Sequence, residues 1–443
     1  MSLKQPTSRP MPRDVTSNRA RHLRRAWFDV TRYLRPSRNV VTFFHKVDDP
    51  YSWLLLQALP RLLKDFRVQL SVQFVLDIPP DGVVDVAAKQ AYTLIDAARL
   101  ADFHQLSFPD HPQQPSAQDA FAASAILIKH QNSPKLLHLM LEVTGALWKD
   151  SSTTFESCIK RYGLASDKDT RSALSSSREN LYKLGHFQAG SLFYGNEWYC
   201  GLDRLGHLAE RLDRPSLRQH ASGNPSEIAD YQRQYRHVLQ SYNTLRPRPR
   251  QLKPMEFFFS FQCPYSYLAI GRLVKLQELY QFPLTLRLVY LDQQIASTSP
   301  QKRLYALYDA NREAKRFNIP FQRQSEPADE GIHYCMALLP WAQAQGKERE
   351  YILSIMNGIW AESIDTSEKL ALKKLVERAG LNWESASKEL ENERWKTTSN
   401  LNRKALHQAG GFGVPTFCYG ELVAWGQDRL WAIEQAMLRS DRR

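Results

Sequence analysis

A chain of 443 residues is longer than one ordinary hydrophobic core can organise, and a composition of 43% hydrophobic and 24% charged residues is that of a globular protein with more than one domain. No run of about 18 apolar residues is present to span a bilayer, and the amino terminus lacks the apolar core and small-residue cleavage site of a secretory signal, so a cytoplasmic location with no membrane contact is expected. The five cysteines, Cys158, Cys200, Cys263, Cys335 and Cys418, form no C-x-x-C pair; neither a disulfide framework nor a metal site is expected, and any cysteine chemistry involves one thiol.

The net charge of +13 resembles a nucleic-acid signal until it is located. Residues 1–38 carry ten Lys or Arg against Asp14 and Asp29. They read as a solvated basic extension, with an anionic surface or nucleic acid as the alternative partner. Trp27, Phe28 and Tyr33 predict that its distal part docks or is helical.

From residue 39 onward the chain compares with itself. Val40 to Phe44 precedes Pro50-Tyr51-Ser52-Trp53, as Met255 to Phe261 precedes Pro264-Tyr265-Ser266-Tyr267. Each reads as a buried strand entering a helix. A β-rich run follows in both, Val68 to Leu76 and Leu284 to Leu291, closed by Asp77 and Asp292. Lys89, Tyr92, Asp96 and Arg99 then share the 3, 4, 3 spacing of Lys302, Tyr305, Asp309 and Arg312, which puts all four on one helix face. Helical inserts include Lys135 to Trp148 and Gly346 to Gly380. Finally Tyr194-Gly195 and Gly201 to Leu205 match Tyr419-Gly420 and Gly426 to Leu430, a tight hairpin followed by a helix. The expected fold class is α/β: two tandem thioredoxin-like domains, each with a helical insertion. Their expected bounds are 39–212 and 254–443, joined by a linker over 213–253.

The second half carries the candidate chemistry. Proline is favoured at the first position of a helix, so Cys263-Pro264 places a thiol at a helix amino terminus, where unpaired N–H groups and the helix dipole should lower its pKa. Gly411 to Phe417 sets a proline at the start of a strand, and Val414-Pro415 is a candidate cis peptide beside which an extended thiol peptide could pair. Gly426-Gln427-Asp428 reads as a helix start whose N–H groups could hold a carboxylate, or as a simple cap.

The string Phe258 to Ala269, with Phe412 to Phe417 and Trp425 to Leu430, resembles the DsbA-like family. Within it the likeness is to 2-hydroxychromene-2-carboxylate isomerase and kappa-class glutathione transferase. It covers 254–440 strongly and 39–212 weakly. The resemblance implies a glutathione-using enzyme, with Cys263 as nucleophile or glutathione contact and Ser266 donating to its thiolate. It also implies that Val414 and Pro415 pair with the tripeptide backbone, and that Gln427 and Asp428 hold its γ-glutamyl end. In that family's isomerases and kappa transferases a serine commonly stands at the position of Cys263, whereas DsbA proper has a second cysteine at the position of Ser266. A single-cysteine mechanism, resolved by an outside thiol, is implied instead.

Aligning the halves sets Asp49 opposite Cys263, Gly190 opposite Pro415 and Cys200 opposite Trp425, so the first copy is expected to be noncatalytic and to pack against the second. Three functions stay open. One is a glutathione-dependent thiol–disulfide oxidoreductase or transferase; another is a 2-hydroxychromene-2-carboxylate isomerase-type enzyme. The third is a noncatalytic scaffold with a basic arm.

Overall fold

The structure, a computed structural model, describes residues 18–31, 39–148, 152–219, 252–291, 296–323 and 325–439. The order begins with helix α1 (Asn18–Thr31), then β1 (Val40–His45), α2 (Pro50–Asp65), β2 (Gln69–Phe74) and α3 (Val86–His104). An insert of four helices follows: α4 (Ala117–Lys129), α5 (Leu136–Leu147), α6 (Ser152–Tyr162) and α7 (Asp167–Lys183). Hairpin β3 (Ser191–Tyr194) and β4 (Glu197–Cys200) and helix α8 (Leu205–Leu212) close the first unit.

The second unit has β5 (Met255–Phe259), α9 (Pro264–Tyr280), β6 (Leu284–Leu288) and α10 (Pro300–Arg316). Its insert contains α11 (Asp329–Ala344), α12 (Glu348–Met356), α13 (Lys369–Arg378) and α14 (Arg394–Gln408). Hairpin β7 (Thr416–Tyr419) and β8 (Leu422–Trp425) and helix α15 (Leu430–Arg439) complete it. No helix among the described residues is long and apolar enough to cross a membrane.

The two sheets share one topology, β2-β1-β3-β4 and β6-β5-β7-β8, each with a parallel first pair and an antiparallel hairpin at the other edge. Both central strands are built from aromatic and β-branched residues that a buried pleated surface favours, Val41, Phe43 and Phe44 in β1 and Phe257, Phe258 and Phe259 in β5. Local chemistry sets the helix starts. Asp49 caps α2 by accepting from the Ser52 N–H at 3.1 Å, and Ser299 caps α10 by accepting from the Lys302 N–H at 3.2 Å. Pro50, Pro264 and Pro300 occupy first-turn positions where a missing N–H costs nothing.

The inserts serve the same purpose in both units. The Trp148 indole donates to the Val47 carbonyl at 2.9 Å, and the Trp360 indole donates to the Phe261 carbonyl at 3.1 Å. Val47 and Phe261 each lie two residues before the residue that caps the following helix, so a buried tryptophan props the strand-to-helix turn in each half. Trp360 sits on a π-helical turn over Asn357–Ala361.

The chain stays on the first unit beyond α8: Leu217 is buried, and Arg218 bridges to Phe66. Residues 213–219 of the expected linker therefore pack on the first unit, beside the end of α2 and the segment leading into β2, and 220–251 lie outside the described residues. Of the basic extension, α1 docks on the β3–β4 hairpin. Arg25 pairs with Glu197 through two N–H groups at 2.5 and 2.6 Å, and Phe28 meets the Tyr194 ring edge-on at 5.5 Å. Tyr33 lies outside the described residues.

Contacts between the units are reciprocal. Arg204, at the start of α8, donates from Nε to both Asp309 oxygens at 2.8 and 2.9 Å and from Nη1 to Asp428 at 2.9 Å. Arg429, its counterpart, donates from Nε to both Asp96 oxygens at 3.0 Å and from Nη1 and Nη2 to the two Asp203 oxygens at 3.0 Å. Tyr51 and Tyr265 complete the pattern, each donating at 2.9 Å to the aspartate of its own unit, Asp96 and Asp309. The 3, 4, 3 motif face thus points into the contact. One hydrophobic cluster runs through both units behind it.

Candidate active site

Strand β5 ends in the turn Ser260-Phe261-Gln262, which delivers Cys263 to the start of α9 with the extended backbone of a helix cap. The Cys263 N–H donates to the Ser260 carbonyl at 3.2 Å, and Tyr267 closes the first helical turn onto the Cys263 carbonyl at 3.3 Å. From the far end of the unit, the loop before β7 brings Val414 opposite. The Val414–Pro415 peptide is cis, and the Cys263 thiol donates to the Val414 carbonyl at 3.6 Å. Phe258, Val289, Leu406 and Cys418 make the surroundings apolar.

That enclosure overrides the helix terminus. Burial pushes the Cys263 thiol above its ordinary range, while the Ser266 hydroxyl and the N–H groups of Ser266 and Tyr265 pull the other way with less effect. The expectation of a lowered pKa is therefore corrected: the helix start is present, but only 8% of the residue is exposed. With its proton held toward the Val414 carbonyl, Cys263 rests as a thiol rather than a thiolate. Ser266 is wholly buried and its hydroxyl also accepts from the Ser260 N–H at 3.3 Å, which ties the turn to the helix.

Gln427 and Asp428 are drawn into other work. The buried Gln427 amide is used at both ends, its oxygen by Arg272 and its nitrogen donating to Glu313 at 2.7 Å. Asp428 accepts from Arg204 of the first unit. Their side chains are thus tied into the network between units, and what that segment presents beyond them is the backbone of a short helical turn, Gln427–Arg429.

The first unit reaches this site through Tyr92, whose place in the repeated spacing showed a helix face but not a role. Its hydroxyl accepts from the Trp425 N–H at 2.7 Å, and its ring meets Phe412 edge-on at 5.5 Å. Trp425 pairs with Thr416, directly after Pro415, and Gly426 donates to the Pro415 carbonyl at 2.8 Å. A side chain from α3 therefore holds the end of β8, whose partner strand β7 begins directly after Pro415.

In the first unit the corresponding place is closed. Gly201 donates to the Gly190 carbonyl at 2.9 Å, as Gly426 does to Pro415. A Cβ on Gly190 would come within 2.8 Å of the Asp49 carboxylate, and φ there is +65°. Burial raises Asp49 to about 6. Cys200 stands apart from it, taking a hydrogen bond from Ser191 at 3.1 Å beside His186. Cys158, Cys335 and Cys418 are buried.

A parallel βαβ unit, a helical insert, a cis-proline and an antiparallel hairpin identify the second unit, and the DSBA-like thioredoxin family matches it over residues 255–438. Residues 255–438 form a DSBA-like thioredoxin domain. The 2-hydroxychromene-2-carboxylate isomerase of Pseudomonas putida is 29% identical over 208 residues, spanning 42% of this chain and 94% of that enzyme. That of Pseudomonas sp. (strain C18) is 28% identical over 204 residues, spanning 41% and 89%. A solved 2-hydroxychromene-2-carboxylate isomerase is 25% identical, with a TM-score of 0.38, and covers 43% of this chain and 96% of its own. The relatives of the DSBA-like domain are thus enzymes.

Proposed function

We propose that the protein is a glutathione-dependent enzyme in which Cys263 is the single reactive thiol. The observation that carries this reading is the Cys263 thiol at the start of α9, in contact with the carbonyl of the residue before the cis-proline. A peptide laid along Val414 would take that carbonyl through its own N–H, as an added strand does. It would release the thiol from its acceptor and leave the Ser266 hydroxyl and two helix N–H groups to stabilise the thiolate. In exchange with oxidised glutathione, the Cys263 sulfur attacks one sulfur of the disulfide. A mixed disulfide forms at Cys263, and one glutathione thiolate leaves and takes up the proton. In turnover the same attack on a glutathione–substrate disulfide releases the substrate thiol, and a second glutathione then attacks the glutathione sulfur of the mixed disulfide, restoring the Cys263 thiol and leaving as oxidised glutathione.

The likeness of the sequence motifs supports glutathione as the cosubstrate. The engagement of Gln427 and Asp428 leaves the γ-glutamyl end to backbone groups of the 427–429 turn. The first unit is, in this reading, a degenerate copy: Asp49 and Gly190 fill the place of nucleophile and proline, and its contribution is Tyr92. The curated relatives favour a second reading, isomerisation of a chromene-type carboxylate with glutathione held at Cys263.

Iodoacetamide alkylation of Cys263 against pH, with and without glutathione and with Cys263→Ser as control, tests the proposal. Protection by reduced glutathione and a mixed disulfide at Cys263 with the oxidised form support it. A Cys263 indifferent to both would sink it, and turnover of 2-hydroxychromene-2-carboxylate without loss in Cys263→Ser would favour isomerisation that does not need the thiol.

A further inference from the structure

The turn that follows each hairpin packs against the helices of its own unit, and the two units build that contact from different chemistry. On the second unit it is a chain of polar and charged side chains. Arg272 on α9 donates from Nη2 to the Gln427 carbonyl at 2.7 Å and also to the Gln427 amide oxygen. The Gln427 amide nitrogen donates to one Glu313 oxygen at 2.7 Å. The other Glu313 oxygen lies 2.7 Å from Nε2 of His207, on α8 of the first unit, and 3.1 Å from Arg316. Glu313 is wholly buried, and burial would raise its carboxyl, but Arg204 and Arg316 hold it well below the usual carboxylate range.

The internal repeat supplies a comparison for each member. Counting from Asp49 and Cys263, Arg272 corresponds to Ala58; from Lys89 and Lys302, Glu313 and Arg316 correspond to Leu100 and Phe103. Counting from Tyr194 and Tyr419, Gln427 corresponds to Leu202 and His207 to Ala432. All five counterparts are apolar and pack in the hydrophobic cluster common to both units. Well-packed apolar side chains are often as stabilising as a buried ion network, or more so. The network is therefore one of two arrangements that this fold accepts at these places, and it stands on the side of the thiol.

What it holds is the turn beside the cis-proline. The Gly426 N–H donates to the Pro415 carbonyl at 2.8 Å, and Val414, across the cis peptide, accepts from the Cys263 thiol. Tyr92 fixes Trp425, the residue before that turn, and Glu313 fixes Gln427, the residue after Gly426.

We propose that Glu313 is a positioning residue for the glutathione site, holding the Gly426-Gln427 turn and through it the Val414–Pro415 segment, and that His207 of the first unit locks it in place. The inference rests on the glutathione reading above and gives the first unit a second contribution besides Tyr92. Glu313 acts through Gln427 and Gly426. With the turn loosened, the Val414 carbonyl samples more directions, and a peptide laid along it must fix them on binding.

The test is the concentration of reduced glutathione that halves the rate of Cys263 alkylation by iodoacetamide in the full chain, read at Cys263 by mass spectrometry. Glu313→Leu, Arg316→Phe and His207→Ala together install the residues of the repeat around Gln427 and should raise that concentration at least about tenfold, the scale of one unmade hydrogen bond to a charged group. Glu313→Gln should stay within about threefold of the native chain. Its amide oxygen still accepts from Gln427, and its amide nitrogen donates to a His207 ring that carries its proton on Nδ1, where Glu210 stands 3.6 Å away. His207→Ala alone, which leaves Glu313 and both arginines in place, should raise the concentration about threefold, and it decides the matter if the triple variant does not fold. Native protection in both His207→Ala and the triple variant overturns the proposal and leaves the glutathione reading standing, whereas a native Cys263 that glutathione does not protect overturns both. A loss in Glu313→Gln as large as in the triple variant would make the charge itself the cause and also overturns it.

Discussion

Replacing Arg204 with methionine keeps its length and apolar stem but withdraws the guanidinium that joins the two units. Four N–H bonds to Asp309 and Asp428 are lost, at 2.7 to 2.9 Å, from a residue only 7% exposed. Removing one partner of a buried pair ordinarily costs about 3–5 kcal/mol, because the other charge stays buried. Asp309 keeps Arg312 at 2.8 Å and the Tyr265 hydroxyl at 2.9 Å, which places the expected loss at the lower end, about 3 kcal/mol. Arg429→Met should cost the same within about 1 kcal/mol, since Asp96 likewise keeps Arg99 and Tyr51. Urea unfolding followed by tryptophan fluorescence and far-ultraviolet circular dichroism measures both. One shared transition in the native chain should split into two in each variant as the units uncouple. A loss below about 1 kcal/mol, with the transition still single, is the behaviour of a solvated surface pair and would refute this reasoning.

Asp49→Asn gives a pH-dependent effect. The folded-state value of about 6 lies above the ordinary 3.8, so native Asp49 contributes stability by holding a proton below pH 4 and loses it as pH rises through 6. Asparagine keeps the cap, so the variant should be more stable than the native chain by about 3 kcal/mol at pH 8, with most of the gain lost at pH 4. Equal differences in thermal unfolding at both pH values would count against a buried, protonating carboxyl. For Cys263, the alkylation midpoint of the unliganded protein should lie above that of free cysteine, and Ser266→Ala should raise it further. Tyr92→Phe leaves the Trp425 N–H without its acceptor, at a cost of about 1 kcal/mol, and should speed exchange of that amide and alkylation of Cys263 together.

Much of the architecture was legible in residue types alone. Phe-rich strands running into Pro50 and Pro264, and the two copies of the 3, 4, 3 motif, marked the repeated sheet-and-helix plan because capping and periodicity act over a few residues. What the motif faces was not legible. Asp96 and Asp309 meet arginines far along the chain, and no local rule connects them. The thiol shows the same limit: Cys263-Pro264 announced a helix start, but its raised pKa comes from Leu406 and Val414, which the fold brings in from the far end of the unit. Gln427 and Asp428 looked available beside a helix start, and only the structure showed Arg272, Glu313 and Arg204 already using them.

The exchanged arginines also change what dilution can do to this molecule. Two separate chains meeting through such a contact would part as their concentration fell below the dissociation constant. Here both faces belong to one polypeptide, and a connection of this length holds them at an effective concentration on the order of millimolar however few molecules are present. Tyr92 therefore stays beside Trp425 at any expression level.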